Sequence, residues 1–433
     1  MTSAFQSPVR ARLVQSAVVF SALMLTAASV PSGTADQTGF APDRLQRIHE
    51  VMQRYIDAGQ ISGAVTLVAR RGHIAHLEAH GLADLESKKA MPKDAIFRLA
   101  STSKPVTAAA IMMLVEEGKV RLTDPVSRFI PEFKSMKVAM PRPGAQPAPA
   151  PAAGGRGGGS DVAFDLVSAT REITIKDLLT HGSGLMSGGL GGTQAARLAP
   201  KAPTDSLADY IPKLAGVPLD FQPGTAWRYS GIAGFEVLSR VVEVASGQPF
   251  DQFLQKRVFE PLGMKDTGFW FPEDRLARRV TLYQRVDSKL SRSQTQDGLS
   301  NKVYFSGAGG LMSTVEDYLQ FAQMLVNGGT LNGKRLLGPR TVELMSNGSH
   351  AGELFAANPG RGGMGFGLGV DVVQDLARSN RMTSVGSFGW DGAYGTHFWV
   401  DAKEQMVGIM FINTATPGLA RDFETAVMQA IVN

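Results

Sequence analysis

The sequence predicts an α/β (α+β) protein in which one sheet is built from both ends of the chain and a mostly helical region is inserted between them. Three observations predict it. Strand-like stretches follow a single amphipathic helix near the start, strand patterns return over the last hundred residues before a closing helix, and the stretch between carries helical spacing and long loops. At 433 residues, 43% hydrophobic and 19% charged, the chain can bury a large core as one large or two intimate domains.

The first helix is read from Leu45, Ile48, Val51, Met52, Tyr55 and Ile56, which recur at helical spacing behind Asp43 and stop near Gly59. Ala64 to Arg70 and Ile74 to His80 then flank Arg71-Gly72, a hairpin signal, and Ala95 to Leu99 forms a third strand that runs into Ser101. From Val106 to Val120 the pattern is helical, with Ile111, Met112, Leu114 and Val115 on the apolar side and Gly118 near the end. MPRPGAQPAPAPAAGGRGGGS, residues 140–160, is too rich in Pro, Gly and Ala to pack and reads as a surface insertion.

From Ile173 to about Thr295 several helices are expected, one with apolar positions Ile232, Phe235, Val237, Leu238, Val241 and Val242 that ends at Gly247. Another runs from Val315 to Leu325 before Asn327-Gly328-Gly329. Strands are expected over Phe366 to Val373, Thr396 to Val400 and Met406 to Asn413, with a helix from Leu419 to Val432. The sheet part therefore covers about 41–104 and 300–433, and the helical part about 105–299. No internal repeat is apparent.

Arg10 and Arg12 precede an apolar run from Leu13 to Val30, which leads through Thr26, Ala27 and Ala28. This is the layout of a secretory signal peptide within residues 1–35, with cleavage after Ala28 or Ala35, and it predicts an exported protein, periplasmic or secreted. No second apolar span follows, so no stable membrane insertion is expected once the signal is removed. The net charge of +5 is small for this length and gives no nucleic-acid signal. The absence of cysteine removes thiol catalysis, disulfides, cysteine metal sites and a lipoprotein anchor.

Ser101-Thr102-Ser103-Lys104 is the only S-x-x-K in the chain and falls where a strand gives way to a helix. Residues three apart share a helix face, so the lysine amine can reach the serine hydroxyl. Burial and the positive end of the helix dipole would both lower the amine's pKa and let it take a proton. Alone the motif is weak, because a chain with this many serines shows roughly one match by chance. A helix cap followed by a surface lysine is the plain alternative.

The flanking sequence decides between them. IFRLASTSKPVTAAAIMMLVEEGKVRLTDPV resembles the nucleophile segment of serine β-lactamases and penicillin-binding proteins, above all the class C and esterase branches. ITIKDLLTHGSGL at 173–185, FQPGTAWRYSGIAGFEVLSRVVE at 221–243 and GAGGLMSTVEDYLQFAQMLVNGG at 307–329 resemble that family in its usual order. The resemblance runs from about residue 41 to the end. It implies a β-lactamase-like domain over 41–433, with an antiparallel sheet flanked by helices.

By this resemblance Ser101 is the acylating nucleophile, and Tyr229 takes its proton and later hands it to the leaving group, with Lys104 close by. Tyr229-Ser230-Gly231 stands where the family carries Tyr-x-Asn, and Gly231 removes an amide that helps hold a lactam side chain. Trp390-Asp391-Gly392 stands where Lys-Thr-Gly or His-x-Gly lies on an edge strand, and W-x-G there is similar to family VIII carboxylesterases. Trp390 replaces a cation that would meet a substrate carboxylate, which favours neutral esters. Gly392 lets the backbone approach the substrate, and the amides of Ser101 and Ala393 are expected to form the oxyanion hole.

The resemblance thus implies a small-molecule ester or amide as the partner and no cofactor. The alternatives are a β-lactamase, a D-amino-acid peptidase or amidase, or a non-catalytic binding module. Retention of Ser101, Lys104 and Tyr229 argues against the last. Among the seven histidines His73, His76 and His80 cluster in sequence. His76 and His80 sit on an expected strand, where residues four apart lie roughly 13 Å from each other, so no metal site is expected. His181 is read as structural. There is no G-x-S-x-G nucleophile elbow, and GGRGGGS lacks the strand and helix context of a phosphate loop.

Overall fold

The computed structural model describes residues 1–2, 29–142, 163–296 and 302–433, and is organised around one strand that is buried along its whole length. That strand, β1 (Gly63–Arg70), is mostly apolar on both sides because both of its faces are covered, with Thr66 and Arg70 buried among the apolar residues. Arg71 and Gly72 both take positive φ, the backbone of a tight hairpin turn, and deliver the chain into β2 (His73–Asp84) and the short β3 (Lys89–Ala90). β4 (Phe97–Arg98) leaves the sheet and leads to α2 (Ser103–Glu116).

The other half of the sheet comes from the far end of the chain. β10 (Met364–Phe366), β11 (Asp371–Val373), β12 (Phe388–Asp391), β13 (His397–Asp401) and β14 (Met406–Ile412) join it, giving the order β10-β11-β12-β13-β14-β1-β2-β3, antiparallel throughout. β14 pairs with β1 from Ala64 opposite Ile412 to Arg70 opposite Met406. Gly408 lies opposite Trp399, and any side chain there would occupy the space of the indole ring.

One face is covered by α1 (Pro42–Asp57) and α5 (Leu419–Met428), whose Leu45, Ile48, Met52, Phe423 and Val427 pack on Ala64, Val68 and Met410. The opposite face carries α4 (Val315–Val326), and behind it α2 packs against α3 (Ala233–Ser246) in the main core. Among the described residues no helix is long and apolar enough to cross a membrane.

Several elements differ from the sequence reading. The ordered body begins before residue 41: Val30 is buried, Ser32 bridges Ile74, and Thr34 caps a one-turn helix, Ala35–Thr38. Residues 3–28, which hold most of the expected signal peptide, lie outside the described residues. Met140 and Pro141 belong to β5 (Lys137–Pro141), paired with β6 (Phe164–Ser168), and residues 143–162 of the expected insertion lie outside the described residues. The third strand shrinks to β4, which among the described residues pairs only with β9 (Met312–Ser313).

The helix expected from Val106 starts at Ser103, and Ile232 is not on the buried face of α3 but precedes it and is exposed. The helical part holds an unforeseen hairpin, β7 (Tyr283–Val286) with β8 (Lys289–Arg292). Phe366 to Val373 is two strands, because Gly369 turns the chain at φ +81°. β12 is an inner strand, but β11 pairs it only as far as Gly389, so Trp390 and Asp391 extend past that neighbour.

Candidate active site

The site is assembled where β4 ends. Ala100 takes a left-handed backbone conformation, φ +47°, which costs a non-glycine residue about 1–3 kcal/mol and is held by the surrounding structure. The Leu99 amide is tied to the Leu311 carbonyl, and Thr396 Oγ1 donates to the Leu99 carbonyl at 2.8 Å. Tyr318, fully buried, donates its hydroxyl to the Thr102 carbonyl at 2.8 Å. Ser101 therefore sits on a turn that is fixed on both sides, immediately before α2.

Lys104 lies one turn further on and is almost completely buried. Its Nζ is 2.9 Å from Ser101 Oγ and 2.7 Å from each of the carbonyl oxygens of Gly231 and Ala308. Burial pushes the amine below its ordinary lysine pKa, against the opposite pull of Tyr229 and Glu236. The two carbonyls accept two N–H bonds, so once the amine is neutral its lone pair occupies the third direction, toward Ser101. Two backbone acceptors thereby orient the amine.

The Ala308 carbonyl is held by its own loop. Thr107 Oγ1 donates to the Gly307 carbonyl at 2.8 Å, the Gly307 amide donates to Ser239 Oγ at 3.1 Å, and the Leu311 amide donates to Ser103 Oγ at 3.2 Å. From the sequence this glycine loop received no role, since a carbonyl acceptor leaves no residue-type signal.

Tyr229 approaches from the segment before α3, where Ser230 Oγ accepts the Gly234 amide at 3.0 Å. The Tyr229 hydroxyl is 2.7 Å from Ser101 Oγ, so the serine oxygen is in reach of both the phenol and the lysine amine. Under the Tyr229 ring lies His181, fully buried at φ +57°, with centroids 4.6 Å apart and neither ring nitrogen hydrogen-bonded among the described residues. Burial, and secondarily the nearby Lys104, hold His181 well below the usual histidine pKa, so it is a neutral ring in an aromatic box with Trp227, Phe235 and Phe366. Sequence reading called it structural but gave no link to Tyr229.

Trp390 packs edge-on against Phe366, with its indole N–H 3.5 Å from the Tyr229 oxygen. The guanidinium over its ring, Arg361 at 5.9 Å, is paired with Asp371. Gly392 leaves no room for a side chain, because a Cβ would collide with the Thr396 hydroxyl and the Leu99 carbonyl. Its amide donates to the Thr396 carbonyl at 2.7 Å, closing the turn that carries exposed Ala393, whose own amide has no protein acceptor among the described residues.

Asp391 and His397 pair across the foot of this turn, and His397 also faces Glu424 at 3.2 Å. Burial alone would lower the His397 pKa, but the two carboxylates outweigh it and push the ring up to about 9. Gly231 contributes its backbone, and a Cβ there would meet the Tyr229 ring at an ordinary 3.6 Å. Ser101, Lys104, Tyr229, Gly231 and Trp390 thus meet at one point, with Gly392 against the strand that ends there. His73 bonds the Arg71 carbonyl, whereas His76 and His80 both bond Thr66 Oγ1.

Comparisons with known proteins identify the family. The Beta-lactamase family pattern matches residues 48–432. An uncharacterised protein of Mycobacterium tuberculosis is 35% identical, over 86% of this chain and 90% of its own. Esterase EstB of Burkholderia gladioli is 30% identical, over 94% of this chain and 99% of its own. Among solved structures, EstCE1, described as a hydrolase with promiscuous acyltransferase activity, superposes with a TM-score of 0.72 at 28% identity, covering 90% of this chain and 99% of its own.

Proposed function

The chain belongs to the beta-lactamase family and is a hydrolase of that fold, and from this premise we propose that it is an exported esterase that acts on small neutral substrates through an acyl-Ser101 intermediate. The observation that carries the reading is that Ser101 Oγ lies within hydrogen-bond distance of both Lys104 Nζ, at 2.9 Å, and Tyr229 OH, at 2.7 Å. Ser101 Oγ attacks the ester carbonyl carbon while its proton passes to the Lys104–Tyr229 pair. The carbonyl oxygen, now negative, is held by the amides of Ser101 and Ala393. The ester C–O bond then breaks, the alcohol leaves with a proton from Tyr229, and water attacks the acyl-enzyme to release the acid and restore Ser101.

Selectivity for neutral esters rests on two positions. Trp390 offers an apolar ring where a cation would meet a carboxylate, and Gly231 offers no side-chain amide. Export rests on the basic, apolar and small-residue layout before residue 36.

The test is one purified protein assayed against short p-nitrophenyl esters and a chromogenic cephalosporin, together with a fluorophosphonate probe read by mass spectrometry. The expected result is labelling at Ser101 and a higher specificity constant for the esters. A cephalosporin better by an order of magnitude would replace the esterase reading with a lactamase. An adduct on another residue would remove Ser101 from the mechanism.

A further inference from the structure

On the face of the molecule where α1 crosses β2, three metal-binding side chains converge from two elements. His49 comes from α1, and Glu78 and His80 come from β2 two residues apart, hence on the same side of the strand. His49 Nδ1 is 2.7 Å from Glu78 Oε1, His80 Nδ1 is 3.8 Å from the same oxygen, and the three groups' ligand atoms lie within 4.8 Å of one another. With the third side at its upper bound of 4.8 Å, the centre of the triangle lies about 2.4 Å from each corner, a few tenths of an ångström beyond a zinc–imidazole bond of ~2.0–2.1 Å. Small side-chain rotations close that gap.

We propose that His49, Glu78 and His80 form a binding site for a divalent transition metal, zinc in the first instance, that ties α1 to β2. Two imidazoles and one carboxylate are a zinc donor set, with a fourth position left for water, and imidazole nitrogen selects such metals over magnesium or calcium. The second observation is the support behind His80. That ring is buried, and its Nε2 is held at 2.9 Å by Thr66 Oγ1, which leaves Nδ1 directed at Glu78. Thr66 is itself braced by His76 Nε2 at 2.8 Å. A ligand ring whose distal nitrogen is fixed by a hydrogen bond is the arrangement that orients metal-bound histidines. On binding, the metal takes the place of the hydrogen between His49 Nδ1 and Glu78 Oε1, and His49 as a neutral ring carries its N–H on Nε2.

The sequence pattern could not show this site. The spacing of His76 and His80 along one strand argued against a metal, yet their side chains lean together and both reach Thr66 Oγ1; the second imidazole of the proposed site is supplied by the helix across the strand.

The experiment uses the full untagged protein, stripped with a chelator and titrated with zinc chloride by calorimetry, with thermal unfolding as a second readout. The expected result is one saturable site per chain, weakened at least tenfold in His80→Ala and in His49→Ala, and weakened by roughly ten- to a hundredfold in Thr66→Val, which keeps every ligand. Zinc should raise the Tm of the parent protein and not that of His49→Ala, whose half-exposed side chain can be removed without opening the core. No saturable binding, or full-affinity binding in His49→Ala, overturns the proposal. Neither outcome bears on the ester-hydrolysis reading, which uses none of these residues.

Discussion

Asp391 Oδ1 and His397 Nδ1 stand 2.6 Å apart as a directly opposed pair on β12 and β13, and together they close the base of the turn that carries Gly392 and Ala393. Because His397 is raised to about 9 from an unfolded value near 6.5, its contribution to stability is complete below about pH 6.5 and is lost as pH rises through 9. Urea unfolding followed between pH 6 and 9.5 should show a loss on the order of 1–3 kcal/mol across that window, reduced in His397→Asn. An equal slope in parent and variant would assign the loss to other groups.

The paired contacts on Ser101 predict that Lys104→Ala and Tyr229→Phe each lower the turnover of an activated ester by roughly two or more orders of magnitude with the fold retained. The depressed amine adds a pH signature. Acylation in the parent should rise with pH and reach its plateau below the pKa of ordinary lysine, and Lys104→Ala should lose that rise. Full activity in either folded variant would exclude that residue.

Gly231 holds Lys104 through its carbonyl, which any residue can supply, and a Cβ there meets only the Tyr229 ring at 3.6 Å. Gly231→Asn should therefore fold and shift the ratio of cephalosporin to ester specificity constants upward, by about an order of magnitude. An unchanged ratio with ester turnover intact would show that this position does not select between the two substrates.

The Arg142 amide donates to the Ala163 carbonyl at 3.1 Å, so the hairpin of β5 and β6 is already closed at that point. Replacing residues 144–161 by a two-residue Asn-Gly link should leave Tm within a few degrees and ester hydrolysis nearly unchanged. Removal from Met140 onward should cost more, because it also deletes the pairs of Met140 with Asp165 and Pro141 with Phe164. Equal stabilities for the two deletions would contradict the role of those pairs.

Processing after Ala35 would remove buried Val30, the Ser32–Ile74 bridge and the Thr34 cap, whereas processing after Ala28 keeps all three. N-terminal sequencing of protein recovered from an exporting host should accordingly read from Ser29. A start at Asp36 would show that these contacts are dispensable.

How much was legible depends on whether a feature is local. Ser101 and Lys104 could be paired from sequence because three residues at a helix start bring them together, and Tyr229 and Trp390 were found through flanking resemblance; the structure places all four side by side. The Ala308 carbonyl left no trace, since every residue has one. Phe366 to Val373 was read as one strand because its apolar run concealed the turn, although Gly367 and Gly369 marked it. His49 and His80 are 5.7 Å apart ring to ring, a proximity set entirely by how α1 crosses the sheet.

The central strand also dictates when the molecule can become itself. β1 meets β2 within one hairpin, but its other neighbour is β14, so that Ala64 must wait for Ile412. Until that late segment emerges, a mostly apolar strand presents an open row of amides and carbonyls, the condition under which chains pair with the wrong neighbour. The long loop that must close before this pairing is rewarded makes for slow assembly and a long-lived unfolded chain. Nascent chains that stop short of Met406 would keep β1 as a permanently sticky edge, and holdase chaperones should dwell on them in preference to the finished protein.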